Sequence, residues 1–233
     1  MLRAGGCMLI ETKKRLRRVT LPLSRALASA GVAPDGLTAA GLVAAACTGL
    51  ALALGEVPLS LAFLLLSLLC DLLDGDVARL RARGPSAFGA FLDSTADRIS
   101  EAFLFAGLLI GKSEHGGGLH PLWTLAWVLA LTSAFLVSYT RARAEGLGLS
   151  CRIGIADRSV RMVLVVAMLV VGLRASGYFL GVLSVLGWIT VGQRIGHVRR
   201  QAVYTAYRSQ EIPSGAPASA SARDRDALAV PRK

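Results

Sequence analysis

An all-α integral membrane protein is the fold this sequence predicts: six transmembrane helices, a basic amphipathic interfacial helix ahead of them, and both termini in the cytoplasm. Three observations predict it. Apolar runs recur at 37–55, 58–80, 88–111, 121–140, 160–177 and 178–196, each near the roughly 20 residues that cross a hydrocarbon core. The chain is 54% hydrophobic and 18% charged, with a mean hydropathy of +0.56, whereas a soluble domain carries about a quarter charged residues. Lysines and arginines collect at one set of span ends, as cytoplasmic loops require.

The elements follow in order. In ETKKRLRRVTLPLSRALASAG, Leu16, Val19, Leu23 and Leu27 share a helical face, while Lys13, Lys14, Arg17 and Arg18 sit largely elsewhere. Such a helix lies in the headgroup plane. Pro34, Asp35 and Gly36 then break the chain, with Asp35 placed to cap the first span. The second and third spans qualify only if their aspartates are tolerated. Arg161 and Arg174 bracket the fifth, and both are expected to snorkel outward. The end of the chain is rich in Ser, Ala and Pro without apolar periodicity, a composition that stays disordered. The division is thus 1–36 for the N-terminal segment, 37–205 for the six-helix domain and 206–233 for a cytoplasmic tail.

Orientation comes from counting basic residues. Arg3, Lys13, Lys14, Arg15, Arg17, Arg18 and Arg25 precede the first span, and Arg79, Arg81 and Arg83 follow the second. Arg141, Arg143, Arg152, Arg158 and Arg161 join the fourth to the fifth, and a further set begins at Arg194. The opposite side has only Lys112 and Arg174. The expected address is a cell's inner (plasma) membrane, with the charged ends of spans two and three facing the cytoplasm.

Several classes are excluded. The net charge of +11 flanks apolar runs rather than forming a basic face with interleaved aromatics, so nucleic acid is not an expected partner. Cys7, Cys47, Cys70 and Cys151 make no CxxC and no zinc spacing; they read as small apolar residues. No cleavable signal peptide is visible. The residues before Met8 carry no pattern, which leaves both Met1 and Met8 as starting points.

The chemistry lies in DLLDGDVARLRARGPSAFGAFLDSTADR, residues 71–98. Asp71 and Asp74 stand at i and i+3, Asp93 and Asp97 at i and i+4, so each pair shares one helical face. Asp76 falls off that face. The short link RLRARGPSA makes spans two and three antiparallel neighbours, presenting two carboxylates each at similar depth. Four crowded carboxylates cannot all stay ionised without a cation, and Mg²⁺ is the usual partner of an all-oxygen cluster and substrate phosphates. Gly75 and Gly89 leave room for backbone or nucleotide, and Arg79 can pair with a phosphate. Two other readings stand beside this one: a proton or cation pathway in a transporter, and structural ion pairs with Arg79, Arg81 and Arg98.

The order Asp71, Asp74-Gly75, Ala78-Arg79, Gly89, Asp93, Asp97 matches the signature of the CDP-alcohol phosphatidyltransferase family, and the chain resembles that family over everything but its tail. The resemblance implies two divalent ions, Mg²⁺ or Mn²⁺, held by Asp71, Asp74 and Asp93, with Asp97 as general base and further ligand. It places Gly75, Ala78, Arg79 and Gly89 at the CDP moiety. APDGLT resembles the family's element before the first span, adding Pro34, Asp35 and Thr38, with Ser86 from the next loop. It further implies a homodimer.

SYTRARAEGLGL at 138–149, ADRSVR at 156–161 and VGQRIGHVRR at 191–200 look like the phosphatidylinositol phosphate synthase branch, with Arg141 in place of a lysine and an altered arginine loop. This implies Ser138, Arg141, Arg158, Arg161 and Arg194 as the site of an acceptor phosphate. The expected reaction transfers a phosphatidyl group from CDP-diacylglycerol to inositol 1-phosphate and releases CMP. Glycerol 3-phosphate as acceptor, in a phosphatidylglycerophosphate synthase, is the alternative.

Overall fold

A computed structural model describes residues 20–81, 84, 86–115 and 118–211, and all regular structure among them is helical. Helix α1 covers 20–29. Then come α2 (Pro34–Ala53), α3 (Val57–Leu80), α4 (Ala87–His115), α5 (Pro121–Gly146), α6 (Arg158–Val171) and α7 (Ser176–Glu211), with a 3₁₀ turn at Leu173–Ala175. The basic half of the amphipathic segment, including Leu16 and Val19, and the tail from 212 lie outside the described residues, as do Arg83 and Cys7.

Proline sets several helix starts, since its fixed φ and missing N–H suit the first turn. Pro34 opens α2 after Ala33, which caps with no side chain. Asp35 therefore sits inside the first turn rather than capping it, and the span begins at 34, not 37. In α1, Thr20 and Ser24 are buried while Leu23 is 46% exposed. Its polar edge faces the protein and its leucine faces outward. Arg81, just past α3, donates to the Gly31 and Val32 carbonyls at 3.0 and 2.9 Å, tying down the end of α1.

By length and composition, four stretches among the described residues suffice to cross a membrane: Pro34–Ala53, Val57–Leu80, Pro121–Gly146 and Leu173–Tyr204. The expected third run, α4, is long enough but carries Asp93, Asp97, Arg98 and Glu101 in its first half. The expected fifth, 160–177, is only the 14-residue α6, about 21 Å at 1.5 Å per residue. Asp157 caps its start by accepting from the Val160 amide at 3.0 Å, and Gly172 at φ 105° ends it. Arg161 does not snorkel; it is 4% exposed. The last helix begins at 176 and runs to 211, well past 196 and into the segment expected to be disordered from 206.

The layout is two packed groups. Helix α2 lies along both α3 and α4, α5 lies along α7, and α6 bridges α3 and α7. Helices α3 and α4 meet through their side chains, with Leu64 in the same core as Leu104 and Leu108, while each backbone lies closer to α2. Small residues allow it. A methyl on Gly107 of α4 would stand 2.1 Å from the Gly49 carbonyl oxygen of α2. Away from the aspartate-bearing helix ends, Leu52, Leu104, Leu108, Val165, Met168 and Leu180 form the core. Trp123 Nε1 donates to Ser176 Oγ at 2.9 Å, and Trp127 Nε1 to the Phe105 carbonyl at 3.0 Å. Large apolar side chains such as Val43, Leu50, Leu65, Val163 and Val185 are exposed on the outside, a surface suited to the apolar interior of a membrane. Cys47, Cys70 and Cys151 are free.

Candidate active site

The gap left between α3 and α4 is where the aspartates meet. Asp71 and Asp74 project from the last turns of α3, Asp93 and Asp97 from the first turns of α4, and all four line one cleft of about 230 Å³ with Thr38 and Arg158. Ligand oxygens of Asp71, Asp93 and Asp97 lie within 4.8 Å of one another. Asp74, 6% exposed, accepts a 2.6 Å hydrogen bond from Thr38 Oγ1. That bond locks the N-terminal turn of α2 to the site. Hard oxygen donors converging on one point with open space beside them fit a divalent cation of the Mg²⁺ or Mn²⁺ kind.

Arg158 enters the same cleft from α6. Its Nη1 stands 2.8 Å from Asp71 Oδ1 and 2.5 Å from Asp97 Oδ1. Its position follows from the segment before it. Thr190 of α7 accepts from the Ile155 and Ala156 amides at 3.2 and 2.9 Å, and Arg194 Nε donates to the Ile153 carbonyl at 2.9 Å. Gln201 clasps both backbone groups of Ser150. The loop is thus pinned to α7 along its length and delivers Arg158 as the first residue of α6.

The expected nucleotide residues divide. Asp35, Ser86 and Gly89 gather: Ser86 Oγ accepts from the Gly89 amide at 2.8 Å, and a methyl on Gly89 would stand 3.0 Å from Ser86 Oγ and 3.6 Å from Asp35 Oδ1. Pro34 reaches the site through its carbonyl, which accepts from Thr38 at 3.2 Å. Gly75 leaves its face open except to the Arg79 guanidinium, 3.3 Å from where a methyl would be. Ala78 lies half-buried on the same stretch of α3. Arg79 pairs with Asp76 at 2.7 Å.

The expected acceptor residues divide further. Arg141 and Arg161 each come within electrostatic reach of Arg194. Arg141 is exposed and pairs with Glu145 one turn on at 2.9 Å. Arg194 is 5% exposed and spends its fork on the carbonyls of Ile153 and Val137. Arg161 is engaged by Glu101. Ser138 accepts from Arg98 Nη1, and Arg98 Nη2 reaches Asp97 at 3.4 Å. Of the five, Arg158 alone touches the aspartates among the described residues.

Glu101 and Thr190 are not singled out from sequence, while Asp76 is set apart from the cluster there and Arg98 is named only as an ion-pair partner, which it is for Asp97. Asp76, 1% exposed, is buried beside Thr20, whose Oγ1 lies 3.5 Å away. Glu101 stands at i+4 from Asp97 and Arg161 at i+3 from Arg158, so helical spacing alone could have stacked them.

Comparison with known proteins identifies the family. The profile of the CDP-alcohol phosphatidyltransferase family matches residues 31–195. An archaetidylinositol phosphate synthase of Methanothermobacter thermautotrophicus is 37% identical over 195 residues, 82% of this chain and 94% of that one. A phosphatidylinositol phosphate synthase of Mycobacterium marinum is 34% identical over 226 residues, 92% and 91% of the two chains. The crystal structure of Mycobacterium tuberculosis phosphatidylinositol phosphate synthase with CDP-DAG bound has a TM-score of 0.71 at 32% identity, covering 78% of this chain and 94% of that one. The same enzyme in complex with manganese and citrate has a TM-score of 0.70 at 32% identity, covering 77% and 88%. A match through both aspartate pairs and nearly to the end of the last apolar run leaves no place for a transporter: the chain is an enzyme of the CDP-alcohol phosphatidyltransferase family.

Proposed function

We propose that this enzyme transfers the phosphatidyl group of CDP-diacylglycerol to inositol 1-phosphate, releasing CMP and forming phosphatidylinositol phosphate. The observation that carries the reading is Arg158, a guanidinium held between Asp71 and Asp97 in the aspartate cleft. An acceptor bearing a phosphate suits that charge; serine, choline and free inositol do not. The relatives support the same acceptor from another direction. Some are named for archaetidyl and others for phosphatidyl products, yet both groups are named inositol phosphate synthases.

Asp71, Asp74, Asp93 and Asp97 would hold two divalent ions, Mg²⁺ or Mn²⁺. Such ions, when bound, neutralise a diphosphate and ease departure of CMP. The chain's own residues supply the rest. Thr38 fixes Asp74; Pro34, Asp35, Ser86 and Gly89 form one wall for the nucleotide, and Gly75, Ala78 and Arg79 the other. Arg158 orients the acceptor phosphate, and Ser138, Arg141, Arg161 and Arg194 support it from α5, α6 and α7. Asp97 takes the proton from the acceptor hydroxyl as its oxygen bonds to the lipid-bearing phosphorus, and the bond from that phosphorus to CMP breaks on the opposite side. No phosphoenzyme is needed.

The accompanying architecture has six crossings. Helix α4 makes one with its charges held inside the bundle, and α6 makes one with its neighbouring 3₁₀ turn. Both termini and the cleft face the cytoplasm of an inner membrane, in keeping with the basic residues that flank the cleft. The enzyme works as a homodimer through apolar faces of α4 and α5.

Purified protein in detergent, given CDP-diacylglycerol with Mg²⁺ and each acceptor in turn, tests the reading through CMP formation. Turnover with inositol 1-phosphate is expected. Turnover with glycerol 3-phosphate alone would replace the assignment.

A further inference from the structure

Two charge pairs stack one helical turn apart between α4 and α6. The upper pair joins Asp97 to Arg158, in the cleft. The lower joins Glu101 to Arg161, 2% and 4% exposed. Glu101 Oε1 accepts from Arg161 Nη2 at 2.5 Å and from Nε at 3.2 Å. The remaining arm of the fork, Nη1, donates to the Ala156 carbonyl at 3.1 Å. Beneath the cleft lies a second, narrow space lined by Glu101, Arg158, Ser67 and Ser100 among others, and the last three also line the cleft above.

A fully buried ion pair is a poor source of stability, because desolvating both charges offsets their attraction. Its better-attested use is to fix one arrangement among several. Here the arrangement fixed is the junction of the 148–157 loop with α6. Arg161 reaches back across the first turn of its own helix to the loop carbonyl at Ala156. Thr190 holds the amide of the same residue from the other side. Ala156 is 1% exposed and lies two residues before Arg158. Without the Glu101 carboxylate, the guanidinium of Arg161 would be a buried charge with no counter-charge, and its hold on Ala156 would have no fixed anchor on α4.

We propose that Glu101 is a positioning residue for the acceptor site: acting through Arg161 and the Ala156 carbonyl, it sets where Arg158 stands over Asp71 and Asp97. This rests on the reading of Arg158 as the acceptor-phosphate ligand. It assigns Arg161 a bracing part instead of direct contact with the phosphate, and it gives the lower pair a part in acceptor affinity and none in metal or CDP-lipid binding.

The test is Glu101→Gln in the full-length enzyme. The expected result is an acceptor KM raised about tenfold, with the KM for CDP-diacylglycerol and the Mn²⁺ affinity, titrated by electron paramagnetic resonance, within twofold of the parent. Hydrogen–deuterium exchange should speed up in the peptide spanning 153–161 and stay unchanged in α2 and α3. Should the single variant fail to fold, Glu101→Gln with Arg161→Gln removes both charges together, and the same KM split and local exchange are expected. An acceptor KM within twofold of the parent in a folded variant overturns the proposal, as does a parallel rise in both KM values with loss of Mn²⁺ affinity. Parent enzyme that releases CMP with no phosphorylated alcohol would instead sink the acceptor reading, and the exchange data alone would then keep or overturn the anchoring by Glu101.

Discussion

Thr38 on α2 donates a 2.6 Å hydrogen bond to Asp74 on α3, joining residues 36 apart in sequence. Asp74 is nearly sealed from solvent, so this hydroxyl fixes which way its carboxylate points. Replacing Thr38 with Val keeps the shape and removes the donor. A lost hydrogen bond to a buried charged group costs about 1.5–3 kcal/mol, which corresponds to roughly ten- to a hundredfold in binding. Equilibrium titration of Mn²⁺ and of CDP-diacylglycerol should show weakening in that range, and Thr38→Ser should restore most of it. Unchanged affinities would make Thr38 a helix-terminal residue only.

Asp97, the proposed base, is where chemistry and binding can be separated. Asp97→Asn removes the base and keeps the size, so CMP formation should fall by about 10²- to 10⁴-fold while calorimetry still detects CDP binding. Turnover close to the parent's would exclude Asp97 as the proton acceptor.

Convergence of Asp71, Asp93 and Asp97 within 4.8 Å is the ground for expecting the enzyme to depend on a divalent metal. Dialysis against EDTA should abolish CMP release, and added Mn²⁺ or Mg²⁺ should restore it. Asp93→Asn should lower Mn²⁺ affinity without unfolding the protein, since Asp93 is only half-buried. Activity that survives chelation would defeat the metal assignment.

The contact of α2 with α4 depends on the absence of a side chain at Gly107. Gly107→Ala should destabilise the protein in detergent by about 1–3 kcal/mol, the usual cost of overpacking, read as a lower melting temperature. Gly192→Ala, which would meet open space, is the matched control and should leave the transition in place. Equal behaviour of the two would mean that α2 and α4 do not rely on this close approach.

Arg158→Gln should raise the acceptor KM by at least tenfold, because a bidentate guanidinium on a phosphate has no neutral equivalent. The KM for CDP-diacylglycerol should move little. A loss confined to kcat would point to Arg158 acting on the aspartates alone.

By itself the sequence determined the helical membrane class, the reaction family and the four aspartates. Each rests on local spacing: apolar runs long enough to span, carboxylates three or four residues apart, and glycines between them. The residues whose parts depend on distant partners were decided only by the tertiary structure. Arg158, Arg161 and Arg194 look alike in a basic loop, yet one stands over the aspartates, one is buried on Glu101 and one braces the loop carbonyls. Likewise, a short link predicts that α3 and α4 face each other, and their aspartates do meet, but it says nothing of α2. Small residues let α2 lie against both, and the gap this leaves is the cleft itself. Helix ends also escaped prediction, because Gly172 and Asp157 bound α6 by backbone conformation and capping, while hydropathy runs straight across such breaks.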